Sequence, residues 1–230
     1  MPRIEKKILV TGKLTLITGM HIGGTNSAMS IGGPDKFVVR QSKDGYPYIP
    51  GSTLKGKMRS LLELLDGTIK ATEKAGRQVS YGPTDDSNTR AGKLFGTVHK
   101  EESKQHPSQI IVRDSILLNP DASCFKNTDL PMTEAKTEVS IDRITSKANP
   151  RTFERVPSGA EFKVNMVVNV FEGDNENELL ETIKTALKLV EDDYIGGQGS
   201  RGYGQVKFEE LKYEFHNSAW YKAEVHKMDK

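Results

Sequence analysis

The chain has 230 residues, 35% of them hydrophobic and 28% charged, enough for one substantial core under a heavily charged surface. No apolar run approaches the ~20 residues of a membrane helix. The opening "MPRIEKKILV" lacks a signal-peptide core, and one cysteine, Cys124, excludes a disulfide framework. We therefore expect a cytoplasmic protein with no membrane partner. The net charge of +2 is unevenly spread: residues 1–60 hold ten Lys/Arg and three acids, so they carry +7 and the remainder −5. Such asymmetry can draw phosphates to one surface of a near-neutral protein.

In chain order, "KILVTGKLTLIT" places Ile8, Val10, Leu14 and Leu16 on one face at period two and predicts a strand. "GSTLKGKMRSLLELL" predicts a helix with Ser52 as N-cap and Leu54, Met58, Leu61, Leu62 and Leu65 as its apolar stripe. A strand follows at residues 108–118, and another in "AEFKVNMVVNVF" through Phe162, Val164, Met166, Val168 and Val170. "ENELLETIKTALKLVEDD" predicts a second helix, and "GQVKFEELKYEF" a last strand with a parity break near Glu209–Glu210 that signals a bulge.

The order strand, helix, strand, strand, helix, strand gives an α+β class, the ferredoxin-like (RRM-like) βαββαβ arrangement, in one domain over residues 1–230. Insertions at roughly 19–50, 67–107 and 119–158 interrupt it and are too long to be plain connections. No RNA-recognition aromatic motif appears on the central strands, since "IIVRDSI" has no aromatic, so any RNA must meet the loops.

Two stretches carry the chemistry. In "PGSTLKGKMR", helix-start amides, the Ser52 and Thr53 hydroxyls, and Lys55 and Arg59 on one flank form a candidate anion site; an ordinary capped helix with a solvated flank fits equally. In "GGQGSRGYG" (196–204), five glycines surround Ser200 and Arg201, more than the helix C-cap at Gly196 or Gly197 requires. A loop admitting a phosphate to backbone amides, with Arg201 as a forked donor, explains the excess. Neither a P-loop nor a dinucleotide fingerprint is present. Val139 and Ile141, then Phe153 and Val156, predict two short strands of a projecting hairpin around "SKANPRT". His21, beside the cluster "GMHIGGTNSAMSIGGPD", is read either as a structural histidine or as an RNA contact or acid.

These motifs together resemble the RAMP superfamily, and more narrowly the backbone subunit of type III-A (Csm) CRISPR effector complexes. The resemblance spans nearly the whole chain through "HIGG", "SIGGPD", "IPGSTLKGKMR", "KLFG", "IDRITSKANPR", "ERVPSGAEF" and "GGQGSRGYGQV". It implies a palm with a thumb hairpin (119–158) and a lid (67–107), and copies assembled as a filament on guide RNA with other Csm subunits. It also implies cleavage of complementary target RNA at regular intervals with a divalent ion, Mg2+ or Mn2+. The catalytic and ion-holding residue implied is Asp35 in the loop 19–50, with Glu134 and Glu138 as secondary candidates. His21, Ser52, Lys55, Lys57, Arg59, Arg143, Gly197, Ser200 and Arg201 fall among the implied RNA contacts. With one cysteine, no structural zinc is expected. Two alternatives stay open: a non-catalytic guide-binding subunit, if Pro34 re-aims Asp35, and a stand-alone precursor-RNA endoribonuclease using His21.

Overall fold

The computed structural model describes residues 3–24, 36–74, 78–98 and 105–228. In chain order, β1 is Ile4–Leu16, β2 Tyr48–Ile49, α1 Gly51–Asp66, β3 Lys70–Lys74, β4 Gln78–Gly82 and α2 Arg90–Phe95. Then come β5 (Ile110–Val112), β6 (Ser115–Ile116), β7 (Glu134–Ile141), β8 (Ala148–Arg155), β9 (Glu161–Phe171), α3 (Glu176–Asp192), β10 (Val206–Asn217) and α4 (Ser218–Met228).

The main sheet is antiparallel, in the order β10-β1-β9-β5. Its core face follows from period-two alternation: Ile8, Val10 and Leu14 of β1 and Phe162, Val164, Met166 and Val168 of β9 are fully buried. The stripes of α1 (Leu54, Met58, Leu62) and α3 (Ile183, Leu187, Val190) share one core cluster with these residues. Each fully buried side chain of this size contributes roughly 1.5–3 kcal/mol. The predicted bulge is present. Thr11 faces Lys212 and Lys13 faces Glu209, so Gly12 opposes two residues, and Glu210 takes a φ of 54°.

Several expectations are corrected. Ser52 is not the N-cap of α1: Pro50 is, with no side-chain cap, and the Gly51 N–H donates instead to Asp114 Oδ1 at 2.8 Å. Leu65 is 56% exposed, because it sits one turn past the stripe that meets the sheet. The strand expected over 108–118 divides at Arg113–Asp114: β5 joins the main sheet and β6 pairs with β2. Neither Gly196 nor Gly197 ends α3, whose C-cap is Asp193. The 67–107 insertion holds the β3–β4 hairpin and α2, and the chain adds α4 after β10.

The third insertion forms a long antiparallel hairpin, β7–β8, with eight paired positions from Glu134↔Arg155 to Ile141↔Ala148. Its far end is exposed, Ile144 at 96%. At that turn Asp142 Oδ1 accepts the N–H groups of Thr145 (2.7 Å) and Ile144 (2.9 Å). These bonds, Thr145 first, hold its carboxyl below the usual range.

Candidate nucleic-acid interface

Three segments far apart in sequence meet at the base of the hairpin. Met20 exchanges backbone hydrogen bonds with Val156, just after β8, at 2.9 and 2.8 Å. On its other side the same segment takes the glycine loop: Gly197 N–H donates to His21 O at 2.8 Å and Gly204 N–H to Gly19 O at 2.9 Å. Close approach explains the glycines here. A Cβ on Gly19 would lie 2.8 Å from the Arg155 side chain, and one on Gly196, whose φ is +84°, only 2.3 Å from His21 O. Packing of loop on loop therefore accounts for part of the excess that a phosphate alone would otherwise have to explain.

Two described stretches, 22–24 and 37–39, pair with one another. Gly24 N–H donates to Phe37 O (3.0 Å) and Val39 N–H to Ile22 O (2.9 Å). Glu154, 2% exposed, anchors the returning strand. Its Oε2 accepts Val38 N–H at 2.7 Å, and its Oε1 accepts Arg40 Nη2 at 2.5 Å and Thr133 Oγ1 at 2.6 Å. Its backbone donates to Lys36 O at 3.0 Å, and its carbonyl lies 2.7 Å from His21 Nδ1. His21 is accordingly buried, edge-on to Phe153. Asp35 and Pro34 lie outside the described residues.

On β7, Glu134, Lys136 and Glu138 share one face, the face turned toward the glycine loop. Arg155 Nε donates to Glu134 Oε1 at 2.6 Å, and Arg201 Nη1 to Glu138 Oε2 at 2.5 Å. Beneath them Tyr203 is buried, with Lys136 Nζ 4.6 Å and Arg155 Cζ 5.2 Å from its ring centroid. Burial, then a side-chain hydrogen bond to the Glu138 carboxylate and its negative charge, pushes the Tyr203 phenol up to about 12. Three cations thus face two carboxylates across a narrow seam.

The remaining expected contacts fall into two groups. Ser200 and Arg201 are exposed on the loop and Arg143 on the hairpin turn. Lys57 stands beside the same loop, 2.7 Å from Asp193 Oδ2 and 3.7 Å from the Tyr194 ring centroid. Ser52 is exposed on the first turn of α1, where the Asp114 carboxylate already takes the Gly51 amide. Lys55 and Arg59 face internal partners. Lys55 Nζ donates to Ser108 Oγ (2.7 Å) and Ile110 O (2.9 Å), and burial, with Arg59 nearby, pulls its pKa down. Arg59 binds Glu63 Oε1 (2.7 Å) and Thr84 O (3.0 Å).

Sequence reasoning missed Glu154, Arg155 and Tyr203. Tyr203 stood inside the quoted glycine motif. The two charged residues were indistinguishable from the other charges of the arm. Among the described residues no three His, Cys, Asp or Glu side chains gather as a metal-ligand set, and no helix is long and apolar enough to cross a membrane.

Comparison with known proteins agrees with this architecture. The RAMP superfamily model matches residues 13–207. The CRISPR system Cms endoribonuclease Csm3 of Methanocaldococcus jannaschii is 40% identical over 212 residues, covering 91% of this chain and 81% of that protein. The Csm3-Csm4 subcomplex of the type III-A CRISPR-Cas interference complex superposes with a TM-score of 0.59 at 28% identity, covering 97% of this chain and 87% of that one. The Methanopyrus kandleri Csm3 crystal structure shares the fold, with a TM-score of 0.64 at 22% identity over 96% of this chain and 80% of that one. The chain belongs to the RAMP superfamily, and within it to the Csm3 family of type III-A CRISPR systems.

Proposed function

We propose that this chain is the subunit of a type III-A interference complex that holds guide RNA and cuts complementary target RNA. The observation that carries the reading is the junction of the 19–24 segment, the hairpin base and the 196–204 loop. It lines one seam with backbone and with Lys136, Arg155 and Arg201, groups suited to a sugar-phosphate chain of any sequence. Lys57, Ser200 and Arg143 extend the track, while His21 and Gly197 support it from below. The order β10-β1-β9-β5, with α1 and α3 as crossovers, supports a ferredoxin-like βαββαβ palm within a single RAMP domain. Copies side by side on one guide, together with other Csm subunits, would place one hairpin per interval, with Ile144 leading. Such a complex works in the cytoplasm.

RNA cleavage requires a deprotonated 2′-hydroxyl and stabilised charge on the phosphate. Asp35 is next in sequence to Lys36, whose carbonyl accepts the Glu154 N–H at the hairpin base. The described carboxylates bordering the seam, Glu134, Glu138 and Glu154, are each paired with an arginine. They do not form a donor set for Mg2+ or Mn2+, so an ion would rest on Asp35 and the oxygens of the RNA. When bound, it would supply positive charge at the scissile phosphate. Glu134 and Glu138 remain the secondary carboxylates, each having first to leave its arginine. The His21 route is disfavoured, since Nδ1 is taken by the Glu154 carbonyl in a buried setting.

The test is single-turnover target cleavage by guide-loaded complexes in magnesium or manganese. Asp35→Ala should slow cutting by about 10²-fold or more, ~3 kcal/mol at ~1.4 kcal/mol per decade. Target affinity should stay equal or rise, because a negative charge is removed beside a polyanion. Unchanged cutting would move the chemistry to Glu134 or Glu138. A complex that binds target and never cuts it would make this a non-catalytic subunit.

A further inference from the structure

A helix shorter than ~12–15 residues does not stand alone in water and depends on what it packs against. α4 has 11 residues and contributes none to the core cluster. Aromatic stacking holds it to β10: the Trp220 and His216 rings lie 3.5 Å apart and nearly parallel, and the Trp220 backbone N–H donates to Asn217 Oδ1 at 2.9 Å. Its outer side chains are apolar as well. Tyr221 and Val225, one turn apart, are 40% and 55% exposed. Beside them Lys222 is exposed and forms no salt bridge with another described residue. A second uncovered surface lies at the other end of the main sheet. There the 120–132 segment forms a groove of about 560 Å³ walled by Phe125, Leu130, Pro131 and Met132. Its carboxylates, Asp121 and Asp129, outnumber its one cation, Lys126. Asn119 fixes this segment to the start of β9, donating to Gly159 O (3.0 Å) and accepting the Glu161 N–H (2.9 Å). α4 instead leaves β10 at Asn217, which faces Lys6, and Lys6 faces Val170 near the end of β9. At ~3.3 Å per residue the two surfaces are roughly 30 Å apart, too far for one chain to close on itself.

We propose that α4 of one copy docks in the 120–132 groove of the next, with Tyr221 and Val225 against the apolar wall and Lys222 beside Asp121. The inference rests on the reading above, in which copies follow one another on a guide, and names the surfaces through which they meet. A helix laid in an apolar groove by anchors one turn apart is a recurring mode of recognition. The charge excess of the groove is opposite to that of Lys222, which fixes the register of the contact. The two surfaces differ and stand at opposite ends, so the contact is head-to-tail. Each docked copy still offers one free groove and one free helix, and the contact propagates. One short helix buries far less than the ~1,600 Å² of a standard stable interface. Copies therefore join weakly alone and readily once one RNA holds them side by side.

The test is crosslinking of the full-length chain with a flexible bis-maleimide at high protein concentration. Cys124→Ser removes the natural thiol, and Lys126→Cys and Ala223→Cys place one thiol at the groove and one on α4. A ladder of dimers, trimers and longer products is expected, whereas a symmetric pair would stop at dimers. Adding Tyr221→Ser should reduce the ladder about tenfold or more. The emission of Trp220, the sole tryptophan, should stay unchanged in that variant, because α4 remains on β10. Lys222→Glu should reduce the ladder roughly two- to fivefold, and Asp121→Lys in the same chain should restore it. The absence of a ladder, with or without single-stranded RNA, would overturn the contact. So would a ladder indifferent to both Tyr221→Ser and the exchange of charges. A ladder that responds to these variants but is not strengthened by RNA upholds the contact and counts against the RNA-holding reading instead.

Discussion

Glu154 and Glu138 stand on paired strands of one hairpin, and each meets an arginine at 2.5 Å. Their surroundings could hardly differ more. Glu154 is buried and its carboxylate is satisfied by a backbone amide, a hydroxyl and a guanidinium from two other segments. Glu138 holds a half-exposed arginine beside the buried Tyr203 phenol. The first arrangement leaves nothing for a ligand, and removing Arg40 strands a buried carboxylate. The second holds one half-exposed guanidinium with an anion that another anion can replace. Within one motif, the degree of polar satisfaction separates the frame from the working surface.

The contrast is broken most easily at Glu154. Glu154→Ala should cost about 3 kcal/mol or more, because Arg40, Thr133 and the Val38 amide lose their acceptor together. Glu138→Ala should cost less, about 1–2 kcal/mol, because it removes one acceptor from an arginine that is itself half exposed. Denaturant midpoints of the two variants would decide it, and equal losses would erase the distinction. A smaller effect sharpens the same point on the palm. Lys55→Ala should lose about 1–2 kcal/mol by freeing the Ser108 and Ile110 acceptors. Its salt dependence of RNA binding should match the unmodified chain. A slope lower by about one unit would instead make Lys55 a phosphate contact.

What could be read from residues alone follows from the range of the forces involved. The strands and helices of the main sheet were legible because burial on one face writes itself as a period of 2 or 3.6, and even the bulge at Glu210 left a parity break. The β3–β4 hairpin and α4 left no such trace, since their exposed polar residues carry no clear apolar stripe. Asp114 was invisible as the helix cap because it reaches α1 from 63 positions away. At the site, the glycine clusters and Arg201 were legible as composition. The roles of Glu154 and Tyr203 were not, because the partners of a buried polar group depend on segments distant in sequence meeting in space.

The central claim is that RNA lies along the seam between the hairpin base and the glycine loop. Photo-crosslinking of the full-length chain to 4-thiouridine-substituted RNA, followed by peptide mapping, tests it most directly. Crosslinks should concentrate in residues 19–24, 134–155 and 196–204. Crosslinks confined to the exposed aromatics of α4, Trp220 and Tyr221, or to Tyr81 on β4, would place the RNA elsewhere and contradict the account.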